Sequence, residues 1–175
     1  MNVILRNGKS IEVRAVTVDD AEAVLTCMTQ VIQETKNLAR EPEEWRMTVE
    51  QEREFLSKMK DSAQDYMSIA LDGNRVIATA GFHGKPLQRF QHRVTLGISI
   101  LQDYHLKGLG TFMLNHLIDI AKEMGKRTLD LDVRKDNPHA IELYEKVGFT
   151  QEGIKEAAFF VDGMYIDLVL MAKHL

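Results

Sequence analysis

The segment YHLKGLGTFML, residues 104–114, sets how the rest of this 175-residue chain can be arranged. It carries two glycines, Gly108 and Gly110, where a strand-like stretch gives way to a helical one. Backbone N–H groups at the start of a helix have no partner within the helix and lie at the positive end of its dipole, so they bind anions. Glycines there let a ligand approach the backbone. The segment predicts a phosphate site at the amides of residues 106–111; the alternative is a turn that needs glycine only for its dihedral angles.

Hydrophobic spacing on both sides of this segment divides the chain into alternating and helical stretches. The tripeptide DGN at 72–74 indicates a tight hairpin. Strands are predicted at 10–16, 66–71, 75–82, 92–100, 128–133, 149–159 and 164–173, and helices at 18–34, behind Thr48, at 109–124 and at 137–148. This order, βααβββαβαββ, predicts a single α+β domain over residues 1–175, with helices on both faces of a mixed sheet.

Composition excludes several classes of protein. The net charge is −4 and no run of basic residues is visible, so a nucleic-acid partner is not expected. The only cysteine, Cys27, cannot form an internal disulfide and fits a reducing compartment. No stretch resembles a membrane span or a secretory signal, and the six histidines show no metal-ligand spacing. These observations predict a cytoplasmic protein without a metal or a membrane partner.

Two common phosphate-loop motifs do not fit the glycine segment. The motif G-x-x-x-x-G-K-S/T is absent, and G-x-G-x-x-G fails because Met113 stands where the third glycine belongs. That second motif also normally follows the first strand of its sheet, whereas these glycines come late in the chain. A nicotinamide-dependent enzyme is therefore the weaker of the possible phosphate-binding functions.

Two motifs identify a family. HLKGLG at 105–110 is similar to R/Q-x-x-G-x-G/A, which lies between a strand and a helix in the GNAT superfamily of N-acetyltransferases. About thirty residues on, NPHAIELYEKVGF at 137–149 matches that family's N-x-x-A-x-x-L-Y-x-x-x-G-F. The chain resembles the branch with ribosomal-protein N-terminal, polyamine and phosphinothricin acetyltransferases. The resemblance implies a three-layer α/β arrangement with a mostly antiparallel, seven-stranded sheet.

The resemblance also implies acetyl-CoA as the acetyl donor. Its diphosphate would lie on the amides of residues 106–111, and its pantetheine arm would follow the strand end at 98–101, in a gap between two splayed parallel strands. Unpaired backbone groups there would bind the arm, and an N–H near Ile100 would polarise the thioester carbonyl. The implied cofactor residues are Ile98, Ile100, Leu101, His105, Leu106, Lys107, Gly108, Leu109, Gly110, Thr111, Asn137 and Tyr144.

One residue departs from the family pattern, because His105 stands where relatives carry Arg or Gln. A histidine is shorter than arginine and largely neutral at pH 7, though it still donates a hydrogen bond. We expect the cofactor to be anchored more weakly, or by a different arrangement of groups.

Amine acetylation needs a proton for the departing thiolate and a base for the amine. Tyr144 lies where the family places its acid; without the resemblance, its apolar helix face would make it a core residue. Relatives often carry a carboxylate where this chain has Thr95. His92 is the candidate base and His83 the alternative, unless the amine arrives neutral or loses its proton along a chain of waters.

The acceptor pocket is expected opposite the cofactor, between the loop that joins the first two helices and the last strands. The acidic segment at 39–45 suits a cationic amine, although a solvated acidic loop explains it as well. The candidate acceptor residues are Glu41, Glu44, Trp45, His83, Thr95 and Tyr165.

Together these features predict an N-acetyltransferase that acetylates a primary amine by direct attack in a ternary complex. Candidate acceptors are a small amine, a polyamine, an amino-acid analogue or a peptide N-terminus. A homodimer, common in the family, stays open. The alternative is a regulatory or sensor module that binds coenzyme A with little turnover, which His105 and the missing strand carboxylate would favour.

Overall fold

A computed structural model describes residues 1–175, in which one sheet carries helices on both faces. Along the sheet the strands run in the order β1-β2-β3-β4-β5-β6-β8-β7, and every neighbouring pair is antiparallel except β5 and β6. The strands are β1 Asn2–Ile4, β2 Ser10–Ala15, β3 Tyr66–Asp72, β4 Arg75–Gly84, β5 Arg93–Ile100, β6 Thr128–Arg134, β7 Thr150–Val161 and β8 Met164–His174. The helices are α1 Ala21–Glu34, α2 Val49–Lys60, α3 Leu109–Glu123 and α4 Pro138–Lys146.

The predicted fold class is confirmed, with one additional strand. Strand β1 has only three residues, too few to show an alternating pattern. It exists because a tight turn at Leu5–Gly8 returns the chain onto β2, where Val3 lies opposite Ile11. The sheet therefore has eight strands instead of seven.

The helices divide between the two faces of the sheet. On one face, the Thr79 hydroxyl of β4 donates to Met28 Sδ of α1 at 3.4 Å. On the other face, Tyr66 of β3 meets His116 of α3, with the Tyr66 hydroxyl 3.0 Å from His116 Nε2. Two helices begin with side-chain caps, since Thr48 Oγ1 accepts from Gln51 N–H and Asn137 Oδ1 from Ala140 N–H, each at 3.2 Å. None of the helices is both long and apolar enough to cross a bilayer.

Candidate active site

The parallel strands β5 and β6 separate partway along their length. They pair at only three positions, of which Thr95 opposite Asp130 is the last. Beyond that point β5 continues along β4 as far as Ile100, and β6 continues along β8 as far as Arg134. A wedge-shaped gap therefore opens through the sheet, as the family resemblance implied.

Backbone groups of β5 point into this gap. The N–H of Leu101 donates to Ile77 O of β4 at 3.0 Å, so Leu101 turns its peptide groups toward β4. Because successive residues of a strand point their peptide groups to opposite sides, those of Ile98 and Ile100 face β6 across the gap. His105 lies at the rim, with its Nε2 2.8 Å from Ile100 O. Since a carbonyl only accepts, Nε2 carries the proton.

The glycine segment places a row of free amides beside the gap. A short helical turn at 102–104 precedes it, and His105 N–H donates to Gln102 O at 3.0 Å. The next backbone donor is Phe112, which bonds Gly108 O at 3.2 Å. None of the six N–H groups of residues 106–111 donates to any group of the protein. Six adjacent free donors at the start of α3 form an anion-binding surface.

The two glycines have different local roles. Gly108 has a φ of +93°, a conformation that other residues adopt only with strain, and open space surrounds the position of its missing side chain. A Cβ at Gly110 would instead lie 3.0 Å from Leu143 Cδ2 of α4 and 3.4 Å from Ile100 Cδ1. Gly110 thus lets α3 pack closely on α4 and β5, a role that the motif alone did not indicate.

Side chains around the free amides differ in exposure. Leu101 and Leu109 are buried in the core, so only their backbone can meet a ligand there, whereas Leu106 is 77% exposed. Lys107 is half-buried, and its ammonium donates to Asp103 O. Asn137 uses its side-chain oxygen to cap α4.

Tyr144 lies on α4 next to Leu143, whose Cδ2 would lie 3.0 Å from a Cβ at Gly110. Its side chain is 8% exposed, and its ring meets Phe149 edge-on at 5.9 Å between centroids. Burial raises the pKa of Tyr144 to about 12. The Tyr144 hydroxyl has no hydrogen-bond partner in the protein. Because every fully buried side-chain oxygen does have a partner, the Tyr144 oxygen is in contact with solvent. It is therefore a protonated donor available to a ligand.

A cavity of about 270 Å³ lies beside the last β5–β6 pair, on the α1 face of the sheet; its walls include His83, Thr95, Asp130, Asp132 and Glu152. His83 and Thr95 lie opposite each other across β4 and β5. The Thr95 hydroxyl donates to Asp130 Oδ1 at 2.7 Å, and Arg93 bonds the other oxygen. Sequence reasoning looked for a carboxylate along β5 and missed Asp130 on β6. The alternation of TLDLDV, which turns Asp130 away from the core, was the available signal.

His92 is not brought to this cavity or to the gap. It is exposed, just before β5, and its carbonyl accepts from the N–H groups of Arg127 and Thr128 at 2.8 and 3.1 Å. At about 3.3 Å per residue, His92 lies roughly 20 Å along the strand from Ile98. Its role as base stays a prediction that the arrangement does not favour.

Residues of the acidic loop are engaged within the protein. Glu44 Oε2 accepts from Glu41 N–H at 3.0 Å and caps a short helical turn at 42–44. The Trp45 indole N–H donates to Thr29 Oγ1 of α1 at 3.1 Å, and the Arg40 guanidinium carbon lies 5.5 Å from the Trp45 ring centroid. A cation of the protein itself therefore already occupies the aromatic face proposed for an amine.

The β7–β8 hairpin closes the other side of the expected acceptor cleft. Tyr165 is 72% exposed and packs on Phe160, with ring centroids 5.1 Å apart. Asp162, at the tip of the hairpin, forms an ion pair with Lys36 of the α1–α2 loop. The Arg134 guanidinium at the end of β6 donates to Lys36 O and to Asp136. The loop and the hairpin are thus joined through Lys36.

Comparison with known proteins agrees with this geometry. A family model described as "Acetyltransferase (GNAT) family" matches residues 32–149. The chain is 39% identical over 75 residues to a ribosomal protein bS18-alanine N-acetyltransferase of Escherichia coli, covering 43% of this chain and 51% of that enzyme. It is 31% identical over 83 residues to a spermidine N(1)-acetyltransferase of Vibrio cholerae, covering 45% and 48%. The chain therefore matches about half the length of these two relatives.

A solved structure extends the similarity to the whole fold. An acetyltransferase of the GNAT family from Streptococcus pneumoniae superposes with a TM-score of 0.92 at 28% identity, covering 94% of this chain and 99% of that one. The family model spans well over half of the residues. The chain belongs to the GNAT acetyltransferase family.

Proposed function

We propose that the protein transfers the acetyl group of acetyl-CoA to a primary amine by direct attack in a ternary complex. The observation that carries the proposal is the row of six free amides at 106–111 beside a gap in the sheet, with an unpaired Tyr144 hydroxyl on the helix that packs there. The gap connects the α3 side of the sheet, where the amides lie, with the cavity on the α1 side.

Backbone groups along the site suit successive parts of a coenzyme A molecule. Free amides of residues 106–111 suit a diphosphate, and the peptide groups of Ile98 and Ile100 suit the amides of a pantetheine arm. The bound cosubstrate supplies an activated acetyl thioester. An N–H at Ile98 or Ile100 would hydrogen-bond the thioester oxygen and stabilise negative charge that develops there.

Tyr144 is the proposed proton donor. A phenol with a pKa of about 12 is fully protonated at neutral pH. It can hydrogen-bond and protonate the departing thiolate as the carbon–sulfur bond breaks. The transfer is uphill, because the conjugate thiol, with a pKa of roughly 8.5, is a stronger acid than this phenol, and the phenolate then regains a proton from solvent. Burial of the ring fixes the hydroxyl in position without tying it to another protein group.

Thr95 and Asp130 are better placed than His92 to receive the amine's proton. Their side chains lie at the point where the gap begins and line the cavity on the α1 side. The Thr95 hydroxyl can accept a proton from the amine, directly or through water, while it passes its own to Asp130, 2.7 Å away. An Asp130→Asn variant should therefore lower kcat, whereas His92→Ala should leave kcat unchanged.

The acceptor is proposed as a small amine, a polyamine, an amino-acid analogue or a peptide N-terminus. The named relatives act on a ribosomal-protein alanine and on spermidine, which are both primary amines. Asp130, Asp132 and Glu152 line the cavity, but each already pairs with Arg93 or Lys155, so the charge of the cavity does not select among these acceptors. The same chemistry gives no role to nucleic acid, a membrane or a resident metal.

Release of free coenzyme A thiol tests the function. The purified protein is incubated with acetyl-CoA and a panel of spermidine, free amino acids and peptides with different N-termini. Thiol release with at least one acceptor, with initial-rate lines that intersect, is expected for a ternary complex. Binding of acetyl-CoA without release of thiol for any acceptor would support the sensor module instead. Asp130 argues against that alternative, because it supplies a carboxylate that β5 lacks.

A further inference from the structure

Arg6 lies at the tip of the β1–β2 hairpin, close to the free amides. A tight turn holds it there: Gly8 N–H donates to Leu5 O at 2.8 Å, and Gly8 has a φ of +83°. Leu5 is 3% exposed and anchors the turn in the core, whereas Arg6 itself is exposed. The position of the Arg6 backbone is therefore fixed while its side chain remains accessible.

The turn rests directly on the glycine segment. Arg6 N–H donates to Lys107 O at 3.1 Å. The guanidinium Nη1 of Arg6 lies 3.5 Å from Leu106 O, at the start of the row of free amides. An arginine about a hundred residues away in sequence thus reaches the residues that the family motif assigns to phosphate.

The positive charges at this place are not neutralised by the protein. Lys9, on the same hairpin, forms an ion pair with Asp72. Neither Arg6 nor Lys107 is paired with any carboxylate. Two uncompensated cations beside six free N–H groups, in a chain of net charge −4, favour a ligand with more than one negative charge.

The motif lacks the Arg or Gln that relatives carry at its first position. His105 stands where the family carries Arg or Gln, and its Nε2 proton is directed to Ile100 O at the rim of the gap. The Lys107 ammonium donates to Asp103 O and lies 5.7 Å from the Tyr104 ring centroid. Arg6 is the guanidinium left available, and its fork of donors matches phosphate oxygens.

We propose that Arg6 binds a phosphate group at the nucleotide end of acetyl-CoA and takes over the anchoring that the first residue of the motif supplies in relatives. This rests on the proposed function, because it assumes that the six amides receive coenzyme A. On binding, the guanidinium exchanges its long contact with Leu106 O for shorter, charge-assisted hydrogen bonds to phosphate.

Calorimetric titration of acetyl-CoA into four proteins tests the proposal: wild type, Arg6→Ala, Arg6→Lys and Arg53→Ala. Arg53 is an exposed arginine on α2 without an ion pair and serves as the matched control. We expect Arg6→Ala to raise Kd roughly tenfold, the size of one charge-assisted hydrogen bond. Arg6→Lys should recover part of the loss and Arg53→Ala should match wild type. Added salt should raise the Kd for acetyl-CoA less in Arg6→Ala than in wild type, because fewer positive charges of the variant attract the ligand.

A second series with 3′-dephospho-coenzyme A identifies the phosphate. If the loss in Arg6→Ala persists with this ligand, Arg6 binds the diphosphate; if the loss disappears, it binds the 3′-phosphate. An Arg6→Ala protein with wild-type melting temperature and wild-type Kd for acetyl-CoA would overturn the proposal. Failure of the wild-type protein to bind acetyl-CoA at all would instead overturn the proposed function.

Discussion

The two halves of the site are built from different parts of the chain. The proposed cofactor half consists mainly of backbone groups, namely the free amides of residues 106–111 and the unpaired edges of β5 and β6. The acceptor half consists of side chains from the α1–α2 loop, β5, β6 and the β7–β8 hairpin, joined by contacts such as the Lys36–Asp162 ion pair. Backbone donors can bind the same ligand when neighbouring side chains differ. The shape and charge of an acceptor pocket built from side chains, in contrast, change with each substitution.

Replacing the proposed acid has the largest expected effect. Tyr144→Phe should lower kcat at least tenfold, within the ~10²–10⁴ range of general acid–base catalysis. The Kd for acetyl-CoA and the free energy of unfolding should hardly change, because the hydroxyl has no partner in the protein. Steady-state kinetics, calorimetry and urea unfolding measure the three quantities. An unchanged kcat would remove Tyr144 from the chemistry.

Filling the space beside the glycine segment should disturb the cofactor half alone. Gly110→Ala places a methyl group 3.0 Å from Leu143 Cδ2, and overpacking of this kind costs about 1–3 kcal/mol. Because α3 and α4 must move apart, the Kd for acetyl-CoA should rise as well. Gly108→Ala is the matched control: it meets no neighbour, so only its positive φ should cost stability, about 1 kcal/mol. A Kd for acetyl-CoA that rises no more in Gly110→Ala than in Gly108→Ala would contradict the packing role of Gly110.

The start of α1, which supports the acceptor half, gives a pH-dependent prediction. Two hydrogen bonds of 2.7 Å from Arg14 lower the pKa of Asp20 to about 2. A carboxyl whose pKa is depressed on folding stabilises the fold above its unfolded pKa and loses that effect as the pH falls toward its folded pKa. Asp20→Asn should cost about 2 kcal/mol at pH 7 and progressively less between pH 4 and pH 2. Urea unfolding at several pH values measures this, and a cost that is constant with pH would contradict it.

The smallest effect on stability is expected at the junction between the loop and the hairpin. Lys36 and Asp162 are both about 60% exposed, so breaking their ion pair in Lys36→Ala should change the free energy of unfolding by less than about 0.5 kcal/mol. The KM for the acceptor should rise while the Kd for acetyl-CoA stays constant, because only the acceptor half loses a contact. Lys58→Ala breaks an equally exposed pair on α2 and serves as the control. A change in the Kd for acetyl-CoA alone would show that the two halves are not separate.

Sequence reasoning went furthest in the cofactor half. The glycine segment, the cap at Asn137 and the order of strands are local patterns, and the splay of β5 and β6 follows once the family is identified. The roles proposed for Arg6 and Asp130 were missed because a hairpin turn and strand pairing bring these residues to Leu106 and Thr95, and no local pattern records such contacts. In the acceptor half, charge and aromatic character suggested Glu44 and Trp45, yet both make contacts within their own loop or with α1. Residue type gives the chemistry that is available, and tertiary contacts determine whether it is free for a ligand.

The most direct test is a crystal structure of the protein with acetyl-CoA. The diphosphate should lie within hydrogen-bond distance of the amides of residues 106–111, and the arm should run between β5 and β6. The thioester sulfur should lie within reach of the Tyr144 hydroxyl. A nucleotide bound elsewhere, or a Tyr144 hydroxyl directed away from the sulfur, would contradict the proposed site.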